Sequence, residues 1–114
     1  KQVFLGAAAT GGALAPAAAF ETISQIVAAG RRAPEALASP RVYWAGTGST
    51  MLFENGTSRE MVADAYARNI DALMMQGIGL VNLMHCTEAL PRVPQSCGFR
   101  ADQRGYGLGA GGGF

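Results

Sequence analysis

Two adjacent glycines, Gly11 and Gly12, stand in ATGGA between an apolar run, VFLGAA, and an alanine-rich stretch. Glycine leaves its backbone N–H groups approachable. Such groups at the entry to a helix can hold negative charge. That is the chemistry of an oxyanion hole, in which backbone donors meet the oxygen of a tetrahedral intermediate. A second reading is packing alone, at a tight strand-to-helix junction where a side chain would clash. The residue types leave both readings open. A nucleotide loop fits less well, since neither GxxxxGKS/T nor a first-turn GxGxxG is present.

Other reactive residues are few. His85 is the single histidine and ends an apolar run. As a general base it needs a nucleophile within reach. Its neighbour Cys86 would point to the opposite face of a strand, so the two do not read as a nucleophile and its base. Cys86 and Cys97 are ten intervening residues apart in MHCTEALPRVPQSCGF. If the flanking segments pair as a hairpin, the thiols lie across from each other. A disulfide there suits an oxidising compartment such as a periplasm. Free thiols are the alternative. A metal site fits least, because no CxxC and no second histidine complete four ligands. Asp102 and Arg104 in ADQRG read as an exposed charge pair on a polar turn. Tyr43 and Trp44, in PRVYW, suit an interface, a pocket rim or the core.

The elements that must position these residues follow from periodicity. Residues 2–8 read as a buried strand. Residues 14–29 read as a helix with Phe20, Ile23, Ile26 and Val27 on its apolar face. Pro16 is tolerated in its first turn, and Gly30 ends it. Pro34 opens a short helix over residues 35–38, which Pro40 stops. Residues 41–44 and 51–54 are extended, and Asn55-Gly56 is a turn. Thr57 and Glu60 form a T-x-x-E capping box. The helix that follows runs to about Gln76, with Val62, Tyr66, Ile70, Leu73 and Met74 as its apolar stripe. Asp64 and Arg68 pair on its other side. Residues 80–85 form an apolar strand and 97–101 a return strand, with Pro91 and Pro94 in the loop between them. The glycine-rich tail is irregular. This order suggests an α+β layer structure.

Composition narrows the function classes. The chain has 114 residues and a net charge of +1, from nine basic and eight acidic side chains. No basic cluster is dense enough to neutralise phosphates, which argues against nucleic acid. No apolar run approaches the roughly 20 residues of a membrane helix. Sixteen glycines and many alanines bury little area per residue. A fragment or subunit that completes a larger core is the expectation.

Several segments together resemble a known family. GAAATGGALAP, a helix, EALASPRVYW, a glycine-containing loop and MLFENG follow one another as in the C-terminal part of γ-glutamyltransferases. The matching positions are Gly11-Gly12, Glu35-Ala36, Pro40-Arg41-Val42, residues 52–54 ending in Glu54, and Asp102-Gln103-Arg104. The order covers nearly the whole chain. Departures are Tyr43-Trp44 after the Pro-Arg pair, Gln103 within the closing turn, a long proline-containing hairpin loop and a glycine-rich tail.

The resemblance implies part of the four-layer αββα sandwich of N-terminal nucleophile hydrolases. In that family the freed N-terminal threonine of a small subunit attacks a γ-glutamyl carbonyl, and its own amine can serve as base. The acyl group passes to water or an amine. By that match Gly11 and Gly12 supply the oxyanion hole, and no cofactor is implied. Residues 1–114 would be a C-terminal portion of a small subunit and not an independent domain. Its partners would be the segment bearing the threonine and a large subunit. Thr10 is internal and Lys1 is not a threonine, so the nucleophile is expected outside this chain. A related amidase or acylase, or a non-catalytic structural subunit, fits the same residues.

Overall fold

A computed structural model describes residues 3–90 and 92–107. In chain order the elements are β1 (Val3–Thr10), α1 (Ala15–Val27), α2 (Ala33–Ala38), β2 (Val42–Trp44), β3 (Thr50–Glu54), α3 (Arg59–Ala67), β4 (Asp71–Met75), β5 (Leu80–Leu90) and β6 (Cys97–Arg100). Short 3-10 turns lie at Gly12–Leu14 and Pro94–Ser96. The described residues divide into two units. One runs up to Ser39 and resumes at Gly79; the other spans Pro40–Ile78.

The first unit is built on an antiparallel three-stranded sheet in the order β1-β5-β6. β1 pairs with β5 from Leu5 opposite His85 to Thr10 opposite Leu80. Ala18, Ala33, Leu37, Val81 and Leu83 form the core, with Leu5, Ala9 and Ile26 packed against it. β1 is not the buried strand expected, since Phe4 is half exposed and Ala7, Ala8 and Thr10 are exposed. On the sheet, Gly6, Met84 and Phe99 share one register row. They line an open groove of about 450 Å³ with Ala8 and Asn82.

The buried face of α1 also differs from the expected stripe. Ala18 and Thr22 are buried, whereas Phe20 and Val27 are 75% and 71% exposed. Small residues let the helix come close to the sheet, where a phenylalanine would hold it off. The Thr22 hydroxyl donates to the Ala18 carbonyl at 2.8 Å, so its burial leaves that donor satisfied. Gly30, at φ 66°, closes the helix in the left-handed region. α2 begins two residues earlier than expected, with Pro34 in its first turn.

Cys86 and Cys97 face each other in the β5–β6 register and form a disulfide. Both are buried. The hairpin inference therefore holds; Pro91 lies outside the described residues.

The second unit holds a three-stranded sheet in the order β2-β3-β4. β2 and β3 are antiparallel, while β3 and β4 are parallel, with α3 in the connection between them. The long helix expected up to Gln76 stops at Ala67, and residues 71–75 are a strand. Apolar positions at Tyr66, Ile70, Leu73 and Met74 keep helical spacing, which hides the break. Asn69 makes it, by adopting φ 57°, a conformation that asparagine tolerates better than most residues. The N-cap is Ser58, not Thr57. The Ser58 hydroxyl accepts the Met61 N–H, and the Thr57 hydroxyl donates to the Glu54 carbonyl. Asp64 and Arg68 pair at 2.9 Å as the spacing predicts. Leu73, Met74 and Trp44 are 56%, 46% and 56% exposed, so none of them is core within this unit.

Arg41 and Glu54 are buried at 1% and 3% exposure. The Glu54 carboxylate accepts the N–H groups of Arg41 at 2.9 Å and Ile78 at 3.0 Å. The Arg41 guanidinium donates to the Ile78 carbonyl at 3.0 Å. Arg41, next to the start of the second unit, and Ile78 at its end are thereby clasped together at a neck.

The disulfide gives a direct test. Intact mass should rise by about two hydrogen atoms on reduction, the two electrons coming from the added reductant. Replacing both cysteines with alanine should lower stability by about 2–3 kcal/mol in a denaturant melt, as expected for release of a loop of roughly ten residues.

Candidate active site

β1 ends at Thr10, and the chain turns sharply through Gly11 and Gly12 into α1. Gly11 has φ 132° and Gly12 φ 59°, both in the region that favours glycine. The turn is closed by the Leu14 N–H, which donates to the Gly11 carbonyl at 3.2 Å, and by the Ala15 N–H to the Gly12 carbonyl. The Gly12 N–H opens the 3-10 turn, a position to which a helix supplies no acceptor of its own.

The two glycines have different reasons to be glycine. A Cβ on Gly11 would sit 2.9 Å from the Gly79 Cα. Gly79 lies opposite it, one step beyond the last pair of the β1–β5 ladder, Thr10 with Leu80. Gly11 is therefore required by packing. A Cβ on Gly12 would meet nothing within 4 Å, and the residue is exposed. Space does not demand glycine there; the left-handed backbone does. Packing thus accounts for glycine at position 11, and the backbone conformation alone accounts for it at position 12.

Behind the turn, the start of β5 is pinned by Asp102. Its carboxylate accepts the Val81 N–H at 2.9 Å, the Arg104 N–H at 3.0 Å and the Arg104 guanidinium at 3.0 Å. Arg104 also donates to the carbonyls of Leu37 at 2.6 Å and Ser39 at 2.8 Å, at the end of α2. The expected exposed charge pair is thus a buried one: the Asp102 and Arg104 side chains are 1% and 12% exposed. A charge inside a protein persists when its partners satisfy it, and here five hydrogen bonds tie β5, α2 and the closing turn together.

The other candidates are not brought to the turn. His85 lies five residues along β5 from Leu80, about 17 Å at strand rise. Cys86 is held in the disulfide. Among the described residues, no group of three or more His, Cys, Asp or Glu could hold a metal ion. No helix among them is long and apolar enough to cross a membrane. Sequence reading missed Gly79. Its one signal is the pair of glycines in Gly77-Ile78-Gly79, just before a strand.

No family model and no curated protein matches the sequence. Solved structures do match the fold. A Pseudomonas nitroreducens γ-glutamyltranspeptidase complexed with L-DON aligns over 93% of this chain and 54% of its own, with a TM-score of 0.77 and 16% identity. A mutant Helicobacter pylori γ-glutamyltranspeptidase aligns over 90% of this chain and 55% of its own, with a TM-score of 0.77 and 17% identity. A Bacillus halodurans cephalosporin acylase aligns over 91% of this chain and 19% of its own, with a TM-score of 0.76 and 15% identity. The chain thus shares the fold of a portion of these solved structures. It spans about half the length of the solved γ-glutamyltranspeptidase chains it matches.

The Asp102 network carries a stability prediction. Asp102→Ala should lower the unfolding free energy by about 3 kcal/mol, because it leaves the largely buried Arg104 guanidinium without its counter-charge and the Val81 N–H without its acceptor. A denaturant midpoint unchanged from the parent would contradict that role.

Proposed function

We propose that this chain is the C-terminal portion of the small subunit of a γ-glutamyltransferase-like enzyme, and that the Gly11 and Gly12 amides are its oxyanion donors. The observation that carries the reading is the open, left-handed Gly12 at the strand-to-helix junction, on a fold shared with γ-glutamyltranspeptidases. In this reading the attacking hydroxyl belongs to an N-terminal threonine outside these 114 residues, in a partner segment of the same αββα sandwich. Attack on a γ-glutamyl carbonyl places negative charge on the carbonyl oxygen. The two amides receive that charge in a preorganised geometry. Collapse expels the amine and leaves an acyl-enzyme, which water or an acceptor amine then resolves.

The uncovered sheet groove beside Gly6, Met84 and Phe99 suits the second sheet of the sandwich, contributed by the rest of the assembly. The disulfide supports a periplasmic or extracellular location, where such bonds persist.

A second reading, an acylase for a different acyl group, is supported by the TM-score of 0.76 to cephalosporin acylase, close to the 0.77 of the γ-glutamyltranspeptidases. The complete protein, assayed on a γ-glutamyl anilide and on an alternative acyl amide, separates the two. Preferential turnover of the γ-glutamyl substrate is expected, and turnover of the other amide alone would favour the acylase.

Gly12→Ala tests the turn itself. Alanine meets no neighbour there but strains the left-handed backbone. Rotation out of that region turns the amide from the oxyanion, so kcat should fall on the order of 10²-fold. Unchanged turnover would indicate a structural subunit instead.

A further inference from the structure

We propose that Gly79 is a positioning residue for the Gly11–Gly12 amides, its missing side chain setting how closely the turn and α1 seat against the end of β1. The inference rests on the oxyanion reading above and adds a residue that lies elsewhere in the sequence. Gly79 adopts φ 66°, in the region where L side chains are strained. A Cβ placed on it would stand 2.7 Å from the Ala18 Cβ, 3.4 Å from the Thr10 carbonyl oxygen and 3.5 Å from the Leu14 carbonyl oxygen. Those three atoms bracket the turn. Thr10 is the residue before Gly11, Leu14 closes the 3-10 turn, and Ala18 is the fourth residue of α1.

The 2.7 Å contact decides the outcome. Ala18 is 1% exposed and its Cβ is fixed to the helix backbone, so no side-chain rotation can relieve it. The backbone must shift instead; movement of α1 off the strand carries the 3-10 turn, which is joined directly to the first residue of α1. The Gly79 Cα also lies 2.9 Å from where a Cβ on Gly11 would be, so Gly11 is hemmed in by Gly79. Gly79 contributes no donor to the reacting oxygen in this account. It acts through the placement of the amides that do.

The test is a double-variant cycle in the complete protein. Gly79→Ala introduces the collision, and adding Ala18→Gly removes the atom collided with, while the backbone strain at position 79 stays the same. On a γ-glutamyl anilide, Gly79→Ala should lower kcat about 10- to 100-fold, the scale set by misplacing a catalytic group by about 1 Å. KM should stay within about threefold, since ground-state binding is not the interaction lost. Ala18→Gly alone should stay within about threefold of the parent, and the double variant should regain most of the lost kcat. A folded Gly79→Ala with parental kcat overturns the inference, as does a double variant that is folded yet no more active than Gly79→Ala. If Gly79→Ala does not fold, the double variant decides the question by its kcat against that of Ala18→Gly. A crystal structure supplies a readout independent of substrate: displaced Gly11 and Gly12 amides in Gly79→Ala support the proposal, and unmoved ones overturn it. A parent protein inactive on the anilide would defeat the functional reading, and that crystal structure would still settle the positioning role.

Discussion

Two backbones meet at the open end of the β1–β5 ladder with no side chain between them, and the site depends on that contact. Gly11 and Gly79 face each other one step past the last paired residues. Their approach lets β1 turn at once into the 3-10 turn, with no longer loop to carry it away from the sheet. The reversal brings α1 back over the face where Ala9, Val81 and Leu83 are packed. Any larger residue at either position would open the junction, and the exposed amides beyond it would lose their fixed direction.

Small residues give this unit closeness at the expense of buried area. Alanine accounts for much of its core, at positions 18, 33 and 36, and each methyl group removes little surface from water. Polar fastenings fill the deficit. Asp102 and Arg104 join three segments distant in sequence, and Thr22 returns its hydroxyl to its own helix. The disulfide closes the β5–β6 hairpin covalently. Buried ionic groups are directional where alkyl packing is not, so they fix the relation between α2 and β5 more sharply than alanine contacts could.

The strands around the turn, the two helices that follow it and the β5–β6 hairpin were legible in the sequence, because glycine, proline and apolar runs punctuate them. The burial of individual side chains was not. The apolar stripe of α1 named Phe20 and Val27, which are exposed, and passed over Ala18 and Thr22, whose small size is what admits them to the interior. β4 was hidden because its residues extend a helical spacing past Asn69, and one asparagine in the left-handed region carries no signal in hydropathy. Asp102 and Arg104 read as a solvated turn, since sequence shows the charges but not the carbonyls of Leu37 and Ser39 that receive the guanidinium. At the site the glycine pair was visible, and the different burdens of its two members were not. Separating them required Gly79, whose distance along the chain conceals its position beside Gly11.

The neck formed by Arg41, Glu54 and Ile78 has a consequence for how such a chain can change. A segment whose entry and exit are clasped to each other behaves as a closed ring on a stem. The entropy of ordering it is met at the stem, within the segment itself. Three positions hold the clasp, and one of them, Glu54, lies inside the segment and not at its ends. Loss of that one carboxylate would take a hydrogen bond from both ends of the ring at once.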